Sequence, residues 1–518
     1  MPVADSTLDA TPDPYVNHSF ETPRGGGSMR IVLVAWLDKA IYAFLALFAI
    51  LLPHSIKGAE RAWKAAFLLW LIKLIASRTR PLKQALTAPL LAYVVLSGIS
   101  TALSPDPYLS WDRMKYVGLF LAGIAVAQNL RRMAQVRVVV VLFVLSACTT
   151  VLFTVWQYTY GIGARFETLP ATSPLFEAGM RPKDVVTAVN GHSVRTPDQF
   201  LAAIRQLSGG AKVELRYFAA TALWPTTIEL PSQVLLQSRL GSSEVRLGRG
   251  HPWRARGTLG HWVVFAEMLM QAGCMGWALM LARYRDRKWL AALYTIAFAG
   301  LTWAIFMTET RAAIAGLAIG CLVSLFALER GALRWLAVGV LVVIVAGATV
   351  WIQRSRGVQW VDRSDISVHF RALMWEDGLR LIRQHPWFGV GMETVRVHWL
   401  EWNIRGFIEY HVQSHFHSTY LQLAVERGVP TLLAWLWFSV AYVILLVRLI
   451  KRLRPREALA TAIVSGVLAG FVAFSSTGLL HYNLGEEPLA MILYFFYGLT
   501  VAIDRISATP EVGGGGLL

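Results

Sequence analysis

Long apolar runs separated by short polar connections make up most of this chain, and two longer polar segments interrupt them. A helix needs about 20 apolar residues to cross the hydrocarbon core of a bilayer, and the runs predict about twelve such spans. The predicted spans are Ile31–Leu52, Trp63–Ala76, Ala85–Leu103, Met114–Gln128, Val138–Tyr160, Leu259–Ala282, Leu290–Met307, Ala312–Leu328, Leu333–Ile352, Val429–Leu449, Thr461–Leu480 and Pro488–Ile503. The pattern therefore predicts an all-α polytopic membrane protein.

Charged residues between the spans predict which ends face the cytoplasm. The even-numbered connections are short and rich in lysine and arginine, as at residues 283–288 and 448–456. Cytoplasmic loops carry such an excess of positive charge, so both termini are predicted to be cytoplasmic. The two long polar segments are odd-numbered connections and are predicted to lie on the opposite side of the membrane.

These positions divide the chain into seven regions. The tails are expected to be cytoplasmic, and the first of them disordered. The predicted regions are the tail 1–30, spans one to five in 31–160, a first insert in 161–256, spans six to nine in 257–352, a long helical loop in 353–428, spans ten to twelve in 429–505 and the tail 506–518.

Composition agrees with a membrane protein and argues against a nucleic-acid-binding one. The chain is 55% hydrophobic and 16% charged, whereas soluble domains are usually about 25% charged. The net charge of +17 is spread between spans and forms no continuous face, which favours anionic lipid or phosphate groups as partners over nucleic acid. Cys148, Cys274 and Cys321 lie in apolar runs without CxxC spacing, so neither a disulfide framework nor a zinc site is predicted.

The first insert contains a short α/β pattern. Residues 185–189 form a strand-like run that ends at the turn Asn190-Gly191, and Thr196–Leu207 has the capping residue and apolar face of a helix. The run "AGMRPKDVVTAVNG" resembles the core of a PDZ domain, which implies a small α/β fold on the non-cytoplasmic side. Two roles stay open for it: binding of a protein partner, or service as a rigid spacer or subunit contact.

The second long segment concentrates polar and titratable groups at the membrane edge. It holds six of the chain's twelve histidines, namely His369, His385, His398, His411, His415 and His417. Residues 368–384 predict an amphipathic helix that ends before Pro386. Ionisable groups held at the edge of the hydrocarbon layer favour a chemical role over simple anchoring.

Three short motifs carry a family resemblance. Arg371-Ala-Leu-Met-Trp375 followed by His385-Pro-Trp-Phe-Gly-Val-Gly391 is similar to an "RxxxW…HPxxGxG" pattern, and His417-Ser-Thr-Tyr-Leu421 followed by Glu426-Arg-Gly428 is similar to "H[NS]xxL…ExG". Thr310-Arg311 resembles a small arginine-bearing turn before a span. Together they resemble the O-antigen ligase and polymerase superfamily of bacterial envelope glycosyltransferases, with the ligase branch favoured.

That resemblance implies a GT-C-like glycosyltransferase in the bacterial inner membrane, with its active site on the periplasmic side. The implied reaction transfers a glycan from undecaprenyl pyrophosphate to a sugar hydroxyl of lipid A–core. The expected partners are this donor, this acceptor and membrane lipids. Nucleic acid is not expected as a partner.

The residue types suit this chemistry. The leaving lipid diphosphate becomes more negative as the glycosidic bond breaks, and arginine can bind it through bidentate phosphate contacts. Arg254, Arg256, Arg311 and Arg371 are the predicted pyrophosphate-binding residues. Asp362 and Asp365 form a poor metal cage, so neither a metal nor another cofactor is predicted.

A neutral imidazole is suited to accept the acceptor's hydroxyl proton near pH 7. His417 is the predicted base, and His415 is the alternative. Trp375 and Tyr420 are predicted to support the site. Direct attack assisted by a base predicts inversion at the anomeric carbon.

Other functions stay open from the sequence. A polymerase or a protein O-oligosaccharyltransferase of the same superfamily would use a similar donor. A flippase or transporter is disfavoured, because it is expected to show ionisable residues in mid-span, and few are present here, Asp38, Lys39, Lys73 and Glu267.

Overall fold

The computed structural model describes residues 25–82, 84–161, 163–218, 226–250, 254–329, 331–356, 366–410, 415–455 and 457–508. Most of both predicted tails lies outside these ranges, and so do His411, Asp362 and Asp365. In chain order the helices are α1 (Gly25–Leu51), α2 (Ile56–Ser77), α3 (Thr87–Ala102), α4 (Pro107–Val117), α5 (Phe120–Asn129), α6 (Met133–Tyr160), α7 (Pro174–Glu177), α8 (Pro197–Arg205), α9 (Ser232–Gln237), α10 (Trp262–Arg283), α11 (Lys288–Met307), α12 (Arg311–Leu328), α13 (Ala332–Arg356), α14 (Ile366–Gln384), α15 (Thr394–Val397), α16 (Arg405–Tyr410), α17 (Thr419–Leu453), α18 (Ala458–Thr477) and α19 (Glu487–Ala508), with a 3₁₀ turn at Asn483–Gly485.

Eight helices in the described ranges are long and apolar enough to cross a membrane: α1, α6, α10, α11, α12, α17, α18 and α19. Each of them coincides with a predicted span. The mostly helical membrane fold is thereby confirmed.

The other four predicted spans also form helices, but they are shorter or more polar. The run Met114–Gln128 is not one helix, because α4 ends at Val117 and α5 begins at Phe120. Helix α3 has 16 residues, the apolar part of α13 is Arg334–Gly347, and α2 carries charges in its first turns. Twelve membrane crossings therefore stay a prediction.

One set of connections meets at one end of the helix bundle, here called the site end. The Thr258 hydroxyl donates to the Pro53 carbonyl over 2.8 Å, and the Ala255 amide donates to the Met307 carbonyl over 2.9 Å. These bonds join the chain after α1, before α10 and after α11. The Thr419 hydroxyl, directly after the long loop, donates to the His481 carbonyl over 3.1 Å, and His481 Nδ1 is 3.0 Å from Glu267 Oε1 near the start of α10, which adds the long loop to the same end.

The remaining connections meet at the other end. Arg505 donates to the Ala127 carbonyl over 2.6 Å, and Arg454 donates to the Leu328 carbonyl over 3.0 Å. Helices α10, α12 and α17 each run from the site end to this other end. It carries the arginine-rich connections and is called the basic end below. The connections therefore separate into the same two groups that the alternating charge pattern predicts.

Helix α10 lies at the centre of the bundle. In its most apolar 18-residue stretch, 89% is buried inside the protein, whereas the corresponding value for α1 is 22%. It packs against α11, α12 and α18. A buried central helix can carry polar residues that lipid would exclude, and Glu267 in α10 is one of them.

The first insert is a small antiparallel sheet with its own core. Its strands are β1 (Ala164–Phe166), β2 (Val185–Val189), β3 (His192–Ser193), β4 (Lys212–Phe218), β5 (Thr226–Pro231) and β6 (Leu247–Arg249). Their order is β5-β4-β2-β1-β6, with β3 on β2. The turn predicted at Asn190-Gly191 has positive φ at both residues, and Thr196 caps α8 as predicted by accepting from the Gln199 amide. The predicted local elements are confirmed, whereas the PDZ identity stays a prediction.

The second long loop is compact. Helix α14 matches the predicted amphipathic helix, and its apolar residues Met374 and Leu381 are buried beside Phe407 and Phe416. Part of the apolar face therefore packs into the core of the loop. This core fixes α14 against the beginning of α17.

Candidate active site

The two long motifs of the loop pack directly on each other. The Val429 amide donates to the Pro386 carbonyl over 2.8 Å, and the Val390 amide donates to the Val425 carbonyl over 2.9 Å. At the contact, Gly428 has φ +81°, and a Cβ there would lie 2.1 Å from the Trp387 carbonyl oxygen. Glycine is required at this kink because both the backbone angle and the space exclude a side chain.

Side-chain bonds hold the segment that precedes α17. Trp375 donates its Nε1–H to the Phe416 carbonyl over 3.1 Å, and the Phe416 amide donates to Gln422 Oε1 over 2.8 Å. Ser418 caps the helix by accepting from the Leu421 amide. His417 lies between these anchors and has φ +50°, a backbone conformation that few residues other than glycine adopt.

His417 lies in a partly buried histidine cluster. Its ring is 4.4 Å from the ring of His415 and 5.3 Å from that of Phe370, and its backbone amide donates to His415 Nδ1 over 3.1 Å. Burial, followed by the nearby Arg371 guanidinium, lowers the pKa of His417 to about 3. The imidazole is therefore neutral at pH 7, and Arg371 acts in the direction expected of a nearby cation.

The partners of this cluster in α10 and after α18 belong to none of the three sequence motifs. His481 lies 5.5 Å from His415, ring to ring, and its Nδ1 is 3.0 Å from Glu267 Oε1. Burial by itself lowers the pKa of His481, but the Glu267 carboxylate outweighs it and the net pKa is raised. The only sequence signal was an acidic residue in mid-span.

Hydrogen bonds tie the beginning of α17 to the chain after α18. The Thr419 amide donates to the Gly478 carbonyl over 2.7 Å, and its hydroxyl donates to the His481 carbonyl over 3.1 Å. Tyr420, predicted to support the site, donates its hydroxyl to the Ser475 carbonyl over 2.9 Å. Tyr420 therefore anchors α17 to α18.

Arg254 and Arg256 approach the cluster from the chain before α10. The Arg254 guanidinium carbon lies 5.0 Å from the Trp262 ring centre, and that of Arg256 lies 4.4 Å from the Phe218 ring centre at the end of β4. The pKa of the adjacent His261 is lowered to about 4 by burial, followed by His481, Arg256 and Arg254. Both arginines are thus within electrostatic reach of the histidine cluster.

Arg311 is the first residue of α12, directly after the turn Thr308–Thr310. The bond between the Ala255 amide and the Met307 carbonyl ties this turn to the Arg254–Arg256 segment. Three of the four predicted arginines therefore come from two segments that are hydrogen-bonded at the site end, and Arg371 comes from α14.

Two buried charged residues, Glu426 and Arg427, hold the kink of α17. Glu426 accepts from Gln422 Nε2 and from the Glu393 amide, each over 2.8 Å. Arg427 donates to the hydroxyls of Tyr93 and Tyr482 over 2.5 and 3.3 Å. This part of the second motif thereby joins α17 to α3 and to the chain after α18.

Two other loop histidines lie in surface pairs. His398 Nδ1 is 2.7 Å from Glu401, and His369 Nε2 is 3.4 Å from Glu409. Exposed pairs of this kind are compatible with interfacial roles. Within the described residues, one triad has donor atoms arranged to hold a metal, namely His415, His481 and Glu486.

Comparison with known proteins identifies the region around these motifs. Residues 296–436 match the O-antigen ligase family, a range that includes Arg311, Arg371 and His417 but not the insert, Arg254 or Arg256. No curated protein matches the chain. Residues 296–436 are therefore an O-antigen ligase family domain, and the protein is a membrane glycosyltransferase that uses lipid-linked glycan donors.

Proposed function

We propose that this protein is an O-antigen ligase. It transfers a glycan from undecaprenyl pyrophosphate to a sugar hydroxyl of lipid A–core in the periplasmic leaflet. The observation that supports this most directly is the position of a neutral His417 beside Arg371, at the end of the bundle where Arg254, Arg256 and Arg311 also lie.

The step has balanced chemistry. The acceptor oxygen attacks the anomeric carbon and loses its proton to His417, while the bond from that carbon to the diphosphate oxygen breaks. The electron pair leaves with the lipid diphosphate, whose growing charge the four arginines stabilise. One displacement inverts the anomeric configuration, and the step requires no divalent cation.

Donor binding also activates the base. An imidazole with a pKa of about 3 is a poor proton acceptor at pH 7. The Arg371 guanidinium is one cause of that low value, and a bound diphosphate beside it opposes its field. The pKa of His417 therefore rises in the donor complex, so that the base becomes effective when the leaving group is in place.

The two ends of the bundle support the proposed orientation. The arginine-rich connections meet at one end and the candidate site lies at the other. With the basic end in the cytoplasm, the site faces the periplasm and twelve crossings place both termini in the cytoplasm.

Purified protein, donor and lipid A–core test the reaction directly. We expect transfer to continue in the presence of a chelator and the product to have the inverted configuration. Loss of transfer in chelator would contradict the role given to the arginines, and a retained configuration would contradict direct attack.

A deletion strain separates the ligase from its relatives. We expect lipopolysaccharide without O-antigen and an accumulation of the undecaprenyl-linked polymer. Absence of the polymer itself would indicate a polymerase, and loss of glycan from proteins would indicate an oligosaccharyltransferase.

A further inference from the structure

Three side chains, one of them in contact with His417, bring their donor atoms close together. One donor atom each from His415, His481 and Glu486 lies within 4.8 Å of the other two. His481 is only 6% exposed, and its Nδ1 is bonded to the buried Glu267 carboxylate. The three residues come from the segment before α17 and the segment before α19, which the Thr419 bonds hold together.

This donor set suits a borderline ion such as Zn²⁺. Two imidazoles and one carboxylate form a known three-ligand set that leaves a fourth position open. A carboxylate bonded to the other nitrogen of a ligating histidine, as Glu267 is to His481, orients the ring for a metal. At the widest separation, a central point lies about 2.8 Å from each donor atom, so each needs to move by about 0.7 Å to reach zinc.

The bond between His415 and His417 is incompatible with metal bound to His415. The His417 amide donates to His415 Nδ1, so that nitrogen carries a lone pair and the proton of the neutral ring is on Nε2. A metal on Nε2 requires the proton to move to Nδ1, and a metal on Nδ1 uses the same lone pair. In both cases the amide of His417 loses its acceptor.

That loss affects the residue proposed as the base. His417 is held at φ +50°, a conformation that persists only where surrounding contacts impose it. The bond to His415 is one of these contacts. Its removal favours a backbone change that displaces the imidazole.

We propose that His415, His481 and Glu486 form an inhibitory site for a Zn²⁺-class ion, whose binding releases His417 from the position required for transfer. Metal binding itself does not depend on the reaction, whereas the inhibition rests on the function proposed above. The metal is therefore an inhibitor in a reaction that proceeds without one.

Binding is tested on the full-length, metal-free protein in detergent. Titration with Co²⁺ is expected to show the visible absorption of a tetrahedral site at one ion per chain, displaced by Zn²⁺. Glu486→Gln and His481→Asn are each expected to weaken binding by 10- to 100-fold. Glu487→Gln is the matched control, because it makes the same change one residue outside the triad, and it should bind as the parent protein does. Absence of stoichiometric binding, or equal binding by both triad variants and the parent, would overturn the site.

Inhibition is tested by adding Zn²⁺ to the transfer assay. Each variant is compared with its own metal-free rate. We expect Zn²⁺ to inhibit the parent protein, a chelator to restore transfer, and Glu486→Gln to need at least 10-fold more Zn²⁺ for the same inhibition. Binding without inhibition, or stimulation by Zn²⁺, would overturn the inhibitory role. If the metal-free protein transfers no glycan, the proposed function fails, while the Co²⁺ titration still decides whether the site exists.

Discussion

Glu267 and His481 form a buried pair in which Oε1 of the carboxylate lies 3.0 Å from Nδ1 of the imidazole. Glu267 is fully buried in the central helix α10, and His481 follows α18. An ionisable residue within a membrane-spanning helix is costly unless it has a partner. The pair therefore joins the centre of the bundle to the histidine cluster.

Replacement of Glu267 by glutamine is expected to destabilise the protein most in mildly acidic buffer. The carboxylate raises the pKa of His481 in the folded protein, so the pair stabilises the fold fully below the unfolded value of about 6.5 and less as pH rises through the folded value. The difference in melting temperature between the parent protein and Glu267→Gln should be largest in mildly acidic buffer and shrink as pH rises. Melting curves in detergent measure this, with Glu60→Gln, at a partly exposed pair, as the control. A difference that is constant across pH would contradict the assignment.

Replacement of His417 by alanine is expected to reduce glycan transfer by about 10²- to 10⁴-fold, because the acceptor proton loses its base. His398→Ala serves as the matched control, since that histidine lies in the same loop but is paired with Glu401 away from the cluster. Initial rates of donor-dependent transfer with purified proteins provide the measurement. Transfer by His417→Ala at the parent rate would rule out the proposed base.

Replacement of Arg371 by lysine is expected to reduce transfer by about 10²- to 10³-fold, although the charge is kept. Lysine cannot make the bidentate phosphate contact of a guanidinium. Arg383→Lys, at an exposed position of the same helix, should retain the parent rate. Equal rates for the two lysine variants would show that Arg371 is not a diphosphate ligand.

Replacement of Gly428 by alanine is expected to destabilise the loop. A residue other than glycine at φ +81° and ψ 164° costs about 1–3 kcal/mol, and the new Cβ would also lie 2.1 Å from the Trp387 carbonyl oxygen. We expect a lower melting temperature together with a loss of transfer. Gly98→Ala in α3, where a Cβ meets nothing within 4 Å, should melt at or slightly above the parent temperature. A Gly428→Ala variant that melts like the parent would show that this contact is not required.

Local patterns were sufficient where a short stretch decides its own structure. The turn at Asn190-Gly191 and the cap at Thr196 follow from the backbone preferences of those residues and are present as predicted. The run Met114–Gln128 shows where hydropathy was insufficient, because average apolarity does not detect the break between α4 and α5.

The sequence by itself determined the membrane-spanning helices, the grouping of connections and the motifs of an O-antigen ligase domain, because each depends on residues close together in the chain. Only the tertiary structure decided that Glu267, His415 and His481 form one cluster. Glu267 lies in α10, His415 precedes α17 and His481 follows α18, so several helices separate them along the chain. The tertiary structure also decided that the first part of the loop packs on the kink at Gly428. Contacts between distant segments depend on how the apolar faces of the helices pack. A local sequence pattern therefore does not predict which buried polar groups come into contact.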